Sequence, residues 1–366
     1  MRPLVLSLAL VSLLPASPQA APAAPSPAEA EASARLVLPA PKAGRARPLV
    51  VVVGDQAGAE TTDYLIPYGV LKESGAAEVL ALSTAPGPLQ LMASVKIRPD
   101  QTTAQFEAAN PAGADIVVVP AQMKPKSPAL IAFIRAQAAK GAVIVSICEG
   151  ARVLAEAGLL DGKRATTHFA SLQKFDKAYP STRWVRDRRW VQDGRIVSTT
   201  GVSASIPASL ALVEAIAGRE AALATAARLG AGDWSPRHRT AEFAVTREDY
   251  AVGVANLAGA WRHDRVEAPI ADGVDEIALG LQTDAWRRTL RAKVVVAGAR
   301  PVRSRRGLAI LPDEPHRDGA VVLAPPAESA KVLDWSLAEI TRRYGAPTAR
   351  LAWLGLEYGR EDGARH

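Results

Sequence analysis

A single cysteine, Cys148, stands among 366 residues, in the stretch Ser146-Ile-Cys-Glu-Gly150 between an apolar run and a helix-like segment. A small residue, a spacer, the nucleophile, a spacer and glycine is the spacing of a nucleophile elbow, in which a strand turns sharply into a helix. Such a turn exposes one side chain at the sheet edge, and the first N–H groups of the helix favour a thiolate there. Gly150 would let the helix backbone approach closely. The same spacing suits a cysteine used as a small apolar core residue, and residue types alone leave the two readings level. Glu149, directly after the cysteine, carries a charge that opposes a thiolate. With one cysteine, no disulfide forms within the chain, so stability must come from burial, which the length permits.

The elements that would position this cysteine can be read from hydrophobic patterning. From Arg47 the chain alternates strand and helix: Pro48 to Val53, Glu78 to Ser83, Asp115 to Val119 and Ala142 to Ile147 read as buried strands. Thr62 to Ser74, Ser127 to Lys140 and Arg152 to Gly158 read as helices, the first closed by Gly75 and the second by Gly141. This alternation predicts an α/β fold, a doubly wound parallel sheet of flavodoxin type whose ligands sit beyond the carboxyl ends of the strands. Cys148, Pro120 with its successors and the turn after Val53 all converge on that edge. After about residue 230 the pattern echoes itself. Gly273-Val-Asp-Glu-Ile-Ala-Leu and Lys293-Val-Val-Val-Ala297 stand 215 residues after Gly58-Ala-Glu-Thr-Thr-Asp-Tyr and Glu78-Val-Leu-Ala-Leu82. Pro301 to Asp313 likewise echoes Pro88 to Asp100. The expectation is a second, degenerate partial α/β copy whose last strand runs from Ala349 to Leu356, leaving Leu356 near the cysteine position. Shared α/β patterning can produce echoes of this strength as well.

The whole chain bounds the rest. A length of 366 residues suggests roughly two domains at about 150 residues each. Its 48% hydrophobic and 22% charged content is that of a globular protein. The net charge of +7 permits contact with anionic surfaces, but no groove-reading motif argues for nucleic acid. Arg183-Trp-Val-Arg-Asp-Arg-Arg-Trp190 reads as a solvated strand face, with a hairpin turning at Asp193-Gly194. Arg2, the apolar run Leu4 to Leu14 and Ala21-Pro-Ala23 have the layout of a secretory signal peptide, and no later run is long enough to span a membrane. The expected organisation is a signal peptide over 1–23, a Pro/Ala-rich linker over 24–46, a first domain over 47–230 and a C-terminal α/β domain over 231–366. The expected location is the periplasm or the secreted medium.

Four blocks, "GAETTDYLIPYGVLKESG" (58–75), "ADIVVVPA" (114–121), "SICEGARVLAEAGLLDGKRATTH" (146–168) and "RIVSTTGVSAS" (195–205), resemble the DJ-1/PfpI family of the class I glutamine amidotransferase-like superfamily. They are most similar to its branch that also supplies the ligand-binding half of AraC-type regulators. The resemblance implies a reactive Cys148 hydrogen-bonded to an acidic partner at Asp63, where the family more often has Glu and a subset including isocyanide hydratases has Asp. It places His168 in the family's Thr-Thr-His, as a base or a structural contact. Peptidase-like members carry His directly after the cysteine, so Glu149 argues against peptidase activity. Where many relatives read Pro-Gly-Gly, this chain has Pro120-Ala121-Gln122, so an oxyanion hole would rely on the Ala121 and Glu149 N–H groups, with Gly150 beside them. In the second copy Ala278 stands where Asp63 would, and no helix-turn-helix pair is expected after residue 230. The second copy reads as a partner covering the first, in a homodimer or an intrachain pseudo-dimer.

Two functions compete. One is a cysteine-dependent hydrolase, hydratase or lyase acting on a small electrophile, with Asp63 moving protons and no cofactor or metal. The other is a non-catalytic small-molecule-binding or redox-sensing module.

Overall fold

In the computed structural model, residues 35–92, 95–232 and 234–359 are described. The signal peptide expected over 1–23 and the first part of the expected linker lie outside them. The remainder of that linker is held to the first domain. Val37 exchanges two hydrogen bonds with the Gln192 amide, and Arg45 pairs with Asp115 at 2.7 Å.

Runs of Val and Ile give strands buried on both faces: β1 (Leu49–Gly54), followed by helix α1 (Thr61–Ser74), then β2 (Glu78–Ser83). A short hairpin, β3 (Leu89–Gln90) and β4 (Lys96–Arg98), leads to β5 (Gln101–Thr102) and α2 (Thr103–Ala109). Then come β6 (Ile116–Val119), α3 (Pro128–Ala139), β7 (Val143–Ser146) and α4 (Gly150–Glu156). After β8 (Arg164–Ala165), α5 (Phe169–Ala178) and β9 (Arg183–Trp184), the strands β10 (Trp190–Asp193) and β11 (Ile196–Thr199) form the hairpin expected at Asp193-Gly194. Helices α6 (Ser205–Ala217) and α7 (Arg219–Leu229) follow. The main sheet has the order β10-β11-β7-β6-β1-β2-β5, parallel except at the β10–β11 edge. This is the expected mixed α/β fold with a parallel-dominated sheet. Alternate residues of β1 serve opposite faces: Val51 and Val53 pack with Phe133 and Leu154, Val50 and Val52 with Leu65 and Leu212.

Beyond residue 230 lie α8 (Arg247–Ala258), β12 (Asp264–Pro269), α9 (Glu276–Arg287) and β13 (Ala292–Ala297). Next are β14 (Val302–Arg303), β15 (Ala309–Leu311), β16 (Val321–Val322), α10 (Val332–Tyr344) and α11 (Ala346–Leu356). Strands β13, β12 and β16 make a small parallel sheet. Here the echo in the sequence has a counterpart in hydrogen bonding. Asp100 exchanges two hydrogen bonds with the Ala81 backbone, each 2.8 Å, and Asp313 does the same with Val296 at 2.8 and 3.1 Å. Glu60 caps α1 by accepting from the Asp63 N–H, and Asp275 caps α9 by accepting from the Ala278 N–H. The halves join in a shared sheet of order β14-β15-β4-β3, in which Ile97 lies opposite Ile310. Helices α1 and α9 cross at Gly69 and Gly280, where a side chain would meet Ile277 or Leu65.

Two expectations fail in the second half. The strand expected over Ala349 to Leu356 is helix α11. Gly345 and Pro347 start a helix, and the buried Ala349, Ala352 and Leu356 have helical spacing. Leu356 therefore does not occupy a strand end like the one before Cys148. A pair of consecutive helices, absent from the expectation, does occur: α10 and α11 are joined through Gly345. Their arginines are paired within the chain, Arg342 with Glu339, Arg343 with Asp264 and Arg350 with Asp249. Among the described residues no helix is long and apolar enough to cross a membrane.

Candidate functional site

Strand β7 ends at Ser146 and α4 begins at Gly150, so Cys148 falls in a turn closed by the Gly150 N–H donating to Ile147 O at 2.8 Å. Cys148 has φ 54, the left-handed region that a non-glycine residue enters at a cost. The surroundings hold it there. Its N–H donates to Thr200 O at 3.1 Å, and its carbonyl accepts from the Thr167 hydroxyl at 3.0 Å. Gly150 is required by close approach, because a Cβ there would lie 2.0 Å from Val119 O. Cys148 as a whole is 7% exposed.

Asp63, in the first turn of α1, is fully buried and acts on the thiol through its charge. Its Oδ2 accepts from the Ala121 N–H at 3.1 Å, and its carboxyl hydrogen-bonds the Glu60 side chain. Glu60 also accepts from the Asp63 N–H at 2.6 Å and the Thr62 hydroxyl at 2.7 Å, so the two acids form a buried, proton-sharing pair. Burial pushes the Asp63 carboxyl up to about 7 against the opposing Ala121 N–H bond. Glu60 is raised well above the carboxylate range by burial and then by Asp63. Burial also raises the Cys148 thiol, followed by the charges of Asp63, Glu149, Glu60 and Glu357. At rest the thiol therefore keeps its proton.

The second half reaches into this cluster. Glu357, just past α11 and at φ 52, is fully buried and accepts from the Gly201 N–H at 2.7 Å and the Phe169 N–H at 3.2 Å. Its Oε1 lies 2.7 Å from His238 Nε2. A Cβ on Gly201 would lie 2.6 Å from Glu357 Oε2 and 2.7 Å from the His168 ring, so this glycine admits both. Arg288, at the end of α9, donates from Nε to Asp284 at 2.8 Å and brings Nη2 to 3.7 Å from Glu60 Oε1.

The residues expected from the sequence gather unequally. Asp63 interacts electrostatically with Cys148 and is hydrogen-bonded to the Ala121 N–H and the Glu60 side chain. His168 caps α5 through Nδ1, with Nε2 4.0 Å from Glu357, and burial lowers its pKa, so its ring is neutral near pH 7. Glu149 is turned aside to accept from the Ser171 hydroxyl. The Ala121 N–H is committed to Asp63, which removes it from the expected oxyanion hole while Asp63 is in place. The Glu149 N–H carries no hydrogen bond among the described residues. Glu60, Arg288 and Glu357 were missed. Glu60 lies in the quoted Gly-Ala-Glu block, three residues before Asp63, and could have been read as a helix cap. Arg288 and Glu357 are distant in sequence and carry no local signature. Among the described residues no three His, Cys, Asp or Glu side chains are placed to share a metal ion.

Comparisons with known proteins bear on the same segment. Residues 49–215 match the DJ-1/PfpI family model. The chain is similar to the HTH-type transcriptional regulator CdhR of Pseudomonas aeruginosa, 33% identical over 34% of this chain and 37% of that protein. It is similar to an isonitrile hydratase of Pseudomonas putida, 60% identical over 10% of this chain and 17% of the hydratase. A third relative is the Parkinson disease protein 7 homolog of Danio rerio, 30% identical over 30% of this chain and 60% of the relative. The matches thus span less than two thirds of each of these relatives. Among solved structures, Drosophila melanogaster DJ-1beta superposes with a TM-score of 0.46 at 23% identity, covering 51% of this chain and 99% of that one.

Proposed function

Residues 49–215 are a DJ-1/PfpI family domain, and from that premise we propose that Cys148 is a nucleophile toward a small electrophile such as an aldehyde, ketoaldehyde or isocyanide. In the reading offered here, the sulfur–carbon bond forms as the π bond of the electrophile opens. The thiol proton passes to Asp63 and from there to the substrate atom that gains the electron pair. A buried carboxyl titrating near neutral pH suits both halves of that transfer. The supporting observation is the pairing of a strained, left-handed Cys148 with a fully buried Asp63 that acts on it electrostatically and shares a side-chain hydrogen bond with Glu60. The short, 60% identical match to an isonitrile hydratase supports assaying isocyanides first. Steady-state turnover is expected to vanish in Cys148→Ser and to fall by about a hundredfold or more in Asp63→Asn. Equal turnover in wild type and Cys148→Ser sinks the proposal.

One observation favours the second reading, a ligand-binding module without turnover: burial and the surrounding carboxylates hold the thiol protonated at rest. That reading expects ligand-induced stabilisation with no product, in wild type and Cys148→Ser alike. Export through the N-terminal leader is part of the proposal, and N-terminal sequencing of protein recovered from its host cell tests it. A protein that retains Met1 to Ala23 counts against export.

A further inference from the structure

Helices α1 and α9 cross at Gly69 and Gly280, and each sends a residue from its end into the opposite half. The two residues, Glu73 and Arg288, stand 215 positions apart, the same offset that relates the caps Glu60 and Asp275. Their surroundings differ. Glu73 meets Arg306 at 2.8 Å, and Arg306 also holds Asp275 at 3.1 Å and Glu276 at 2.9 Å. The Arg306 side chain is 4% exposed, so the cap carboxylate of the second half is fully occupied by a buried counter-charge. In the first half, Glu60 and Asp63 hydrogen-bond each other through their side chains, and the positive charge facing them is Arg288, at 3.7 Å from Glu60 Oε1.

Arg288 is fixed in place. Asp284, one turn earlier on α9, grips Nε at 2.8 Å. On the opposite side α11 comes so close that a Cβ on Gly355 would lie 3.0 Å from both Cδ and Nη1. The carboxylates facing the thiol (Asp63, Glu149, Glu60 and Glu357) all oppose its ionisation, while the neutral His168 brings no charge. A guanidinium stays protonated at any working pH, so it offsets this negative field without titrating.

Resting on the nucleophile reading above, we infer that Arg288 is a positioning residue of the Cys148 site, a fixed positive charge supplied across the α1–α9 crossing that lets the Cys148–Asp63 pair release a proton as sulfur reacts. The first domain's site is thereby completed by the second half of the same chain. This gives the second half a chemical role although Ala278 stands in the place of Asp63.

The experiment is the pH dependence of Cys148 alkylation by iodoacetamide in the full chain, where one cysteine makes the label unambiguous. Arg288→Gln should raise the midpoint by about one pH unit, roughly a tenfold slower reaction at a fixed pH below it. Arg288→Lys, which keeps the charge, should restore most of that shift. A thermal melt run alongside identifies damage to the fold, which does not move the midpoint of protein that remains folded. Arg288→Met, which keeps the length of the side chain and removes the charge, should raise the midpoint likewise where Arg288→Gln fails to fold. Midpoints that stay at the wild-type value in Arg288→Gln or Arg288→Met overturn the assignment of Arg288 alone. A wild-type thiol that resists alkylation at every pH short of unfolding overturns both this inference and the nucleophile reading.

Discussion

Asp63 is the residue on which the chemistry and the stability of the site meet. Its carboxyl moves from 3.8 as an isolated group to about 7 in the folded protein, chiefly through burial. A carboxyl raised in this way favours the folded state below 3.8, where it is protonated in both states, and that contribution is lost as the pH climbs through about 7. Asp63→Asn should therefore melt higher than wild type at pH 8, by about 1–3 kcal/mol. The gap should close as the pH falls below the carboxylate range. Parallel melting profiles across that span would show that Asp63 is not titrating as described. The same group sets the pH profile of turnover: kcat/KM should rise as Asp63 loses its proton near pH 7, and this limb should disappear in Asp63→Asn. Cys148 and Asp63 were legible because each sits in a short block with fixed spacing. Glu357 and Arg288 were not, since contacts across 209 and 140 residues leave no periodic trace.

At the scale of elements, the turn between β7 and α4 is set by sterics as well as by its hydrogen bonds. A methyl group on residue 150 would lie 2.0 Å from Val119 O, a backbone atom that can move only with β6. Gly150→Ala is expected to cost about 2–4 kcal/mol in urea unfolding. It should also slow alkylation of Cys148, because α4 must retreat and take the turn with it. Unchanged unfolding would mean that α4 sits farther from β6 than described. The strands were readable because buried parallel strands are continuous Val/Ile runs. The error at Ala349 to Leu356 has the same root: a short apolar run fits a strand or a buried helix equally well, and only Gly345 and Pro347 hinted at the helix. The hydrogen bonds of Asp100 and Asp313 show how much of the second half could be anticipated. Its β12, α9 and β13 follow the offset, and the divergence begins before β16, where no helix among the described residues answers α2.

On the scale of the molecule, one of the two apolar cores runs from Val50 and Leu65 through Ile277 to Val266 and Leu333, and β4 pairs with β15 across the two halves. The chain should accordingly unfold in one transition, with circular dichroism and tryptophan fluorescence coinciding although Trp190 and Trp286 lie in different halves. Ile310→Ala, at a fully buried position opposite Ile97, should lower stability by about 2–5 kcal/mol while keeping that single transition. Separate transitions for the two probes would show that the halves fold independently. Within the chain, α9 covers α1 and β15 pairs with β4. The position of Glu357 carries a consequence for biosynthesis. It reaches the Gly201 loop from a point 209 residues downstream of Cys148, a delay of about 10–40 s at ordinary translation rates. Until that carboxylate arrives, the nascent sheet can form with its cysteine while the loop behind it lacks its clamp. The growing polypeptide thus carries an unfinished thiol centre through most of its synthesis, and a chain cut short before residue 357 would never complete it.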